Sequence, residues 1–200
     1  TYTDQVTPSS VTGGTFTVSN YDITYEKGDI IVGTKALTIT ATGPTKTYGT
    51  ALIAGVSLTN FTADATGVGT ETVTGVTLTP DAAGLSATTS AGAPYVVTPS
   101  LATGSGGFVA SNYDITYEAY DGTVSTKALT ITAKDVNKTY GTTLTGGAGL
   151  TAFTSSGLEN GETIGSVTIA YGTGAASNSA VTTYTDQVTP SSVTGGTFTV

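Results

Sequence analysis

The chain has 200 residues, a formal charge of −8 and no Cys, Met, Trp or His. Six lysines scattered among 14 acidic residues form no basic cluster, so phosphate backbones and anionic lipid headgroups are repelled, and nucleic-acid and membrane-surface binding are excluded. With no His or Cys the usual nucleophile and base pairs cannot form, and no Ser-x-x-Lys offers the alternative dyad, so no enzyme and no cofactor are expected. Abundant Thr and Val favour strands and 27 glycines supply turns, which points to an all-β chain.

Taken in order, residues 1–18 recur letter for letter as residues 183–200, and SNYDITYE at 19–26 recurs at 111–118. Ser19 and Ser111, like Lys35 and Lys127, stand 92 positions apart. Residues 1–34 therefore read as the C-terminal part of one repeat, 35–126 as a complete repeat, and 127–200 as a next repeat cut before its last hairpin. The expected setting is a window on a longer tandem array.

Within the complete repeat, alternation at Leu37, Ile39 and Ala41 predicts a half-buried strand over 37–42, broken by Gly43-Pro44. In the next repeat Leu129 and Ile131 take the same places. Strands follow over 56–61 and 73–78, with counterparts at 150–153 and 164–169. Residues 82–92 are small, polar and aperiodic and read as loop or edge strand. Another strand covers 95–98, Gly104-Ser105-Gly106-Gly107 makes a turn, and 113–118 with 122–125 form a terminal hairpin. Tyr113, Ile115 and Tyr117 alternate in that hairpin as Tyr21, Ile23 and Tyr25 do in the first copy. No stretch of ten residues holds a helical period. Short strands at this cadence predict a tandem array of Ig-like β-sandwich repeats; the alternative is a β-grasp-like repeat with one short helix over 63–72. Each unit would span about 30 to 40 Å, given strands of up to about ten residues at about 3.3 Å each. Thr34-Lys35 and Thr126-Lys127 join repeats without a Gly/Pro/Ser linker, which predicts a semi-rigid array.

Asp22, Glu26, Asp114 and Glu118 alternate with buried positions and read as a solvated face rather than as glycosidase carboxylates. Glu118, Asp121 and Asp135 lie near one predicted junction and are the candidates for calcium, although no DxDxDG loop accompanies them. Tyr48-Gly49 and Tyr140-Gly141 read as structural turns, the ring buried with its hydroxyl on backbone and the glycine supplying a positive φ. The lysines read as solvated strand ends. A Lys-to-Asn or Lys-to-Asp crosslink through Lys35 and Lys127 is a further option for stiffening, with no partner that the sequence names.

The order of an alternating TIT strand, Lys-Thr-Tyr-Gly, a Leu-Glu-Asn-Gly-Glu-Thr segment and an Asn-Tyr-Asp-Ile-Thr-Tyr strand resembles the MBG repeat domains of giant bacterial surface adhesins, in their Tyr-Gly variety. The residues that carry it are 35–41, 46–49 and 112–117 in one repeat and 127–133, 138–141 and 158–163 in the next. The first repeat departs from the pattern at 68–72, where it reads VGTET. The resemblance implies secretion to the bacterial cell surface, a very long filamentous chain and a stalk or adhesive role, as in the mobile adhesins of gliding Bacteroidota, with neighbouring repeats as partners. Two alternatives stand beside it: repeats that bind surface glycans or host proteins by avidity, and a pilin-like subunit that polymerises by strand exchange.

Overall fold

The structure is a computed structural model, and it describes residues 1–197. Among the described residues it is mostly β, with several small sheets, one α-helical turn and three 3-10 turns. Residues 1–34 contribute β1 (Tyr2–Val6) and β2 (Gly28–Ile30), an antiparallel pair with Val6 opposite Gly28.

Residues 35–126 hold seven strands: β3 (Lys35–Ala41), β4 (Gly55–Ser57), β5 (Phe61–Ala63), β6 (Thr72–Pro80), β7 (Pro94–Ser105), β8 (Tyr113–Glu118) and β9 (Tyr120–Thr123). They form two sheets, ordered β5-β3-β8 and β4-β6-β7-β9. In β3 the alternation works as read: Leu37, Ile39 and Ala41 are buried while Thr38 and Thr40 are half-buried. One apolar cluster joins these to Val76 and Leu78 of β6, Tyr95 and Val97 of β7 and Tyr113 of β8, so it draws on both sheets. Each such aliphatic side chain contributes about 1.5 to 3 kcal/mol by leaving water. A cis Gly43-Pro44 bond follows β3.

Three expectations are corrected. The 82–92 stretch opens with a helical turn, α1 (Ala82–Leu85), because Asp81 is extended and its carboxylate accepts from Gly84 N at 2.7 Å, a side-chain N-cap. That turn, and not one at 63–72, is the helix of the unit. Gly104 and Ser105 close β7, which leaves Gly106 and Gly107 for the turn. The terminal hairpin is absent. β8 runs parallel to β3, with Lys35 opposite Tyr113 and Thr40 opposite Glu118, whereas β9 pairs with β7 in the other sheet.

Residues 127–197 repeat part of this plan with β10 (Thr130–Ala133), β11 (Gly147–Leu150), β12 (Phe153–Ser156), β13 (Ile164–Tyr171) and β14 (Val188–Gly196). β10 pairs with β12 as β3 does with β5, and β11-β13-β14 reproduces β4-β6-β7. Even the bulges correspond. Leu101 in β7 and Ser192 in β14 each sit at positive φ, 49° and 43°, at a register shift just after Ser100 and Ser191, which lie opposite Thr77 and Thr168 respectively. The expected unit 127–200 and duplicated stretch 183–200 run on into residues 198–200, which lie outside the described residues.

Candidate functional site

The two Lys-Thr-Tyr-Gly segments carry the most specific polar chemistry in the chain. After the break at Gly43-Pro44 the chain turns inward and buries Lys46, which is 2% exposed. Its ammonium donates to the carbonyl oxygens of Ala83 (2.5 Å), Gly84 (3.1 Å) and Ser86, the last carbonyls around α1. A cation at this end answers both the orphan carbonyls and the helical dipole. Burial pushes the Lys46 ammonium below the ordinary lysine value, and the nearby Asp81 carboxylate opposes that shift. Lys138 repeats the arrangement on Thr142 O (3.0 Å) and Ala176 O, although it stands at the surface. The expectation that these lysines are solvated strand ends is therefore wrong for Lys46. Its signal was the same Lys at the same place before both Thr-Tyr-Gly turns, in a chain with only six cations.

The turn itself follows the backbone. Gly49 and Gly141 adopt φ of 87° and 92°, as their Tyr-Gly pairs predict. Gly49 N donates to Ala87 O and Gly141 N to Ser177 O, so both turns are tied to the same place in their units. The tyrosines depart from expectation. The Tyr48 hydroxyl donates not to backbone but to the Glu162 carboxylate at 2.5 Å, 114 residues away in the following unit, and this bond raises its pKa above the usual phenol value. Tyr140 is 64% exposed. Asn160 Nδ2 donates to Ala87 O at 3.3 Å, and Lys127 pairs with Glu159 at 2.5 Å, the one salt bridge among the described residues. Residues 159–162 thus rest on the Tyr48-Gly49 turn of the unit before, with Glu159 packed where any Cβ at Gly49 would stand.

The counterpart of Glu162 in the first unit, Glu71, is used internally. The Tyr113 hydroxyl donates to its carboxylate at 2.5 Å, which raises the Tyr113 pKa, and Thr66 bonds its carbonyl at 2.6 Å. Tyr117 accepts from Ala102 N at 2.9 Å, next to the Leu101 bulge. Tyr95 is 1% exposed and donates to Pro44 O at 2.9 Å, and burial raises its pKa. Comparison with protein-family models, with curated proteins and with solved structures finds no match.

The remaining candidates separate. Leu37 and Ile39 are buried, but Leu129 is 36% exposed and Ile131 is half-buried. Tyr113 is buried, and Ile115 and Tyr117 pack against the core, whereas Tyr21 and Tyr25 are exposed and lie in no strand with Ile23. Glu118 accepts from Thr40 Oγ1 at 2.8 Å on β8, Asp121 lies on β9 in the other sheet, and Asp135 lines a cavity beside Tyr140. Among the described residues no three acidic groups come together as metal ligands, so the structure does not assemble the calcium trio. Lys127 meets Glu159, and no Lys35 crosslink partner is apparent among its described contacts.

Proposed function

We propose that the chain is a structural stalk segment: tandem β-sandwich repeats of a long filamentous cell-surface protein, extracellular and non-enzymatic, that carry a binding tip away from the cell. The observation that supports this most is the direct seating of residues 159–162 on the Tyr48-Gly49 turn. Two consecutive units meet through the Tyr48–Glu162 and Asn160–Ala87 bonds, and no flexible spacer separates them. Units fixed to their neighbours in this way add length without adding a hinge, and their stability is the sum of each core and its nearest-neighbour contacts. The sandwich reading rests on the two sheets of residues 35–126 that share one apolar cluster. The resemblance to MBG repeats fits the same assignment through the motifs that build this junction, Lys-Thr-Tyr-Gly and Leu-Glu-Asn-Gly-Glu-Thr.

The test is the size and location of the native polypeptide, on a denaturing agarose gel of cell-surface and medium fractions probed with an antibody to residues 35–126. A surface-bound band far above 19.8 kDa is expected; a discrete species near 19.8 kDa refutes the stalk.

A further inference from the structure

We propose that Asn160-Gly161 is a self-modification site: the pair converts through a succinimide to aspartate and isoaspartate, and the product can no longer seat residues 159–162 on the Tyr48-Gly49 turn. The reaction needs only solvent water. The Gly161 backbone nitrogen gives up its proton to solvent and attacks Asn160 Cγ; the new N–Cγ bond replaces the Cγ–Nδ2 bond, and ammonia leaves. Water then adds to one of the two ring carbonyls and breaks its bond to the ring nitrogen. Opening at Cγ leaves a side-chain carboxylate, and opening at the main-chain carbonyl leaves isoaspartate. Nothing is oxidised or reduced.

Three features single out this pair. Of the six asparagines only Asn160 precedes glycine; the others precede Tyr21, Phe61, Tyr113, Lys138 and Ser179, each with a Cβ that crowds the attacking nitrogen. Asn160 and Gly161 are also exposed, at the centre of a tight turn with φ of 52° and 73°, closed by Glu162 N donating to Glu159 O at 2.9 Å. A Cβ at Gly161 would meet nothing within 4 Å, so water has free access to a ring formed there. Finally, among the described residues Gly161 N donates to no acceptor. By contrast Tyr21 N and Ser179 N, which follow the exposed Asn20 and Asn178, are bonded to Val18 O and Ala176 O.

Junction and reaction control each other. Asn160 Nδ2 donates to Ala87 O at 3.3 Å in the preceding unit, and the Tyr48–Glu162 bond holds the same turn in place. The side chain must fold back onto its own backbone for the ring to close, so it has to release Ala87 O first. A seated junction therefore reacts slowly and an open one fast. After the reaction a carboxylate replaces the amide, and its oxygens have no proton to offer the Ala87 carbonyl. The added charge also joins Glu159 and Glu162, whose carboxylates already act on Tyr48 and push its pKa up. Isoaspartate further inserts a methylene into the backbone of the turn. The site thus keeps a one-way record of unseating. It rests on the contacts between the two units and holds whether or not they belong to a stalk.

The test incubates the purified 200-residue chain in mildly alkaline buffer made with heavy-oxygen water and follows every asparagine by peptide mass fragmentation. Asn160 is expected to take up the label about tenfold faster than any other asparagine, as both aspartate and isoaspartate. Tyr48→Phe removes the hydroxyl that holds Glu162 without straining the backbone. It is expected to speed Asn160 about fivefold, the factor that one net hydrogen bond supplies, and to leave the other asparagines unchanged. Asn160→Asp, made directly, is expected to raise the radius of gyration in small-angle scattering while keeping the circular dichroism of the wild type. Labelling of Asn160 no faster than of the others, a rate indifferent to Tyr48→Phe, or an Asn160→Asp chain as compact as the wild type overturns the proposal.

Discussion

Replacing Lys46 with methionine keeps the unbranched stem and deletes the ammonium. Of its three acceptors, Gly84 O still receives Leu52 N at 3.0 Å and Ala83 O still receives Thr89 Oγ1 at 2.7 Å. Ser86 O keeps only a long contact from Thr89 N at 3.5 Å. One half-buried carbonyl is thus left almost without a donor, which costs about 1 to 3 kcal/mol. Relief of the ammonium's desolvation offsets part of the other two lost bonds. The expected net loss is about 2 kcal/mol for Lys46→Met, and about 4 kcal/mol for Lys46→Ala, which also opens a cavity. Urea denaturation of the whole chain, followed by the near-ultraviolet circular dichroism of its tyrosines, reads this as a midpoint lowered by about 1 M for the methionine variant. The pH dependence has a definite sign. The folded ammonium titrates below the ordinary value of 10.5, so between its lowered pKa and 10.5 the unfolded state of this group holds more protons and its contribution to wild-type stability rises with pH. The methionine variant lacks that rise. The gap between the two therefore widens as pH approaches 10.5. A methionine variant as stable as the wild type, or a gap that narrows with pH, refutes this account of the site.

Gly49→Ala and Gly141→Ala share the strain of a positive φ, about 1 to 2 kcal/mol, but only the first places a Cβ against Glu159, 2.7 Å from its Cδ. Both should lower the thermal midpoint, and only Gly49→Ala should broaden the small-angle scattering profile by freeing the junction; equal profiles would separate Glu159 from any role there. Gly122→Ala puts a Cβ 2.6 Å from the Tyr95 hydroxyl, a ring that cannot retreat, so a loss of about 3 kcal/mol is expected in the same urea assay. Leu101 is 72% exposed at a φ of 49°, so Leu101→Gly should stabilise by about 0.5 to 1 kcal/mol; a drop in stability would assign the leucine a contact that its exposure denies.

What the sequence made legible was local. Alternation located the strand at Leu37, Ile39 and Ala41. Strand partners were not legible. Tyr113–Glu118 and Tyr120–Thr123 are separated by Ala119 alone, which reads as a hairpin, yet that residue carries the chain from one sheet to the other. The partner of Tyr113 is Lys35, 78 positions back, and no periodicity encodes such a pairing. The turn at Ala82–Leu85 is too short to show a helical period, and its one readable sign was Asp81 three residues before Gly84. At the candidate site the glycine φ values followed from the Tyr-Gly pairs, while Lys46 was misread because exposed lysine is the ordinary case. The Tyr48 and Glu162 bond joins units, so neither residue announces it alone.

The parallel pairing of β3 with β8 decides how residues 35–126 would meet a pulling force. The chain enters at Lys35 and leaves past Glu118, and these two strands run side by side in the same direction. Tension applied to the two ends slides the strands lengthwise against each other, so the ladder bonds from Lys35 to Thr40 bear the load together. Had the expected hairpin formed, the same tension would have opened it like a zip, one bond at a time. The exit repeats the geometry, since Ser125 bridges Thr47 in parallel and donates its N–H to Lys46 O. The buried lysine therefore sits behind the last contact that must slip before the unit extends.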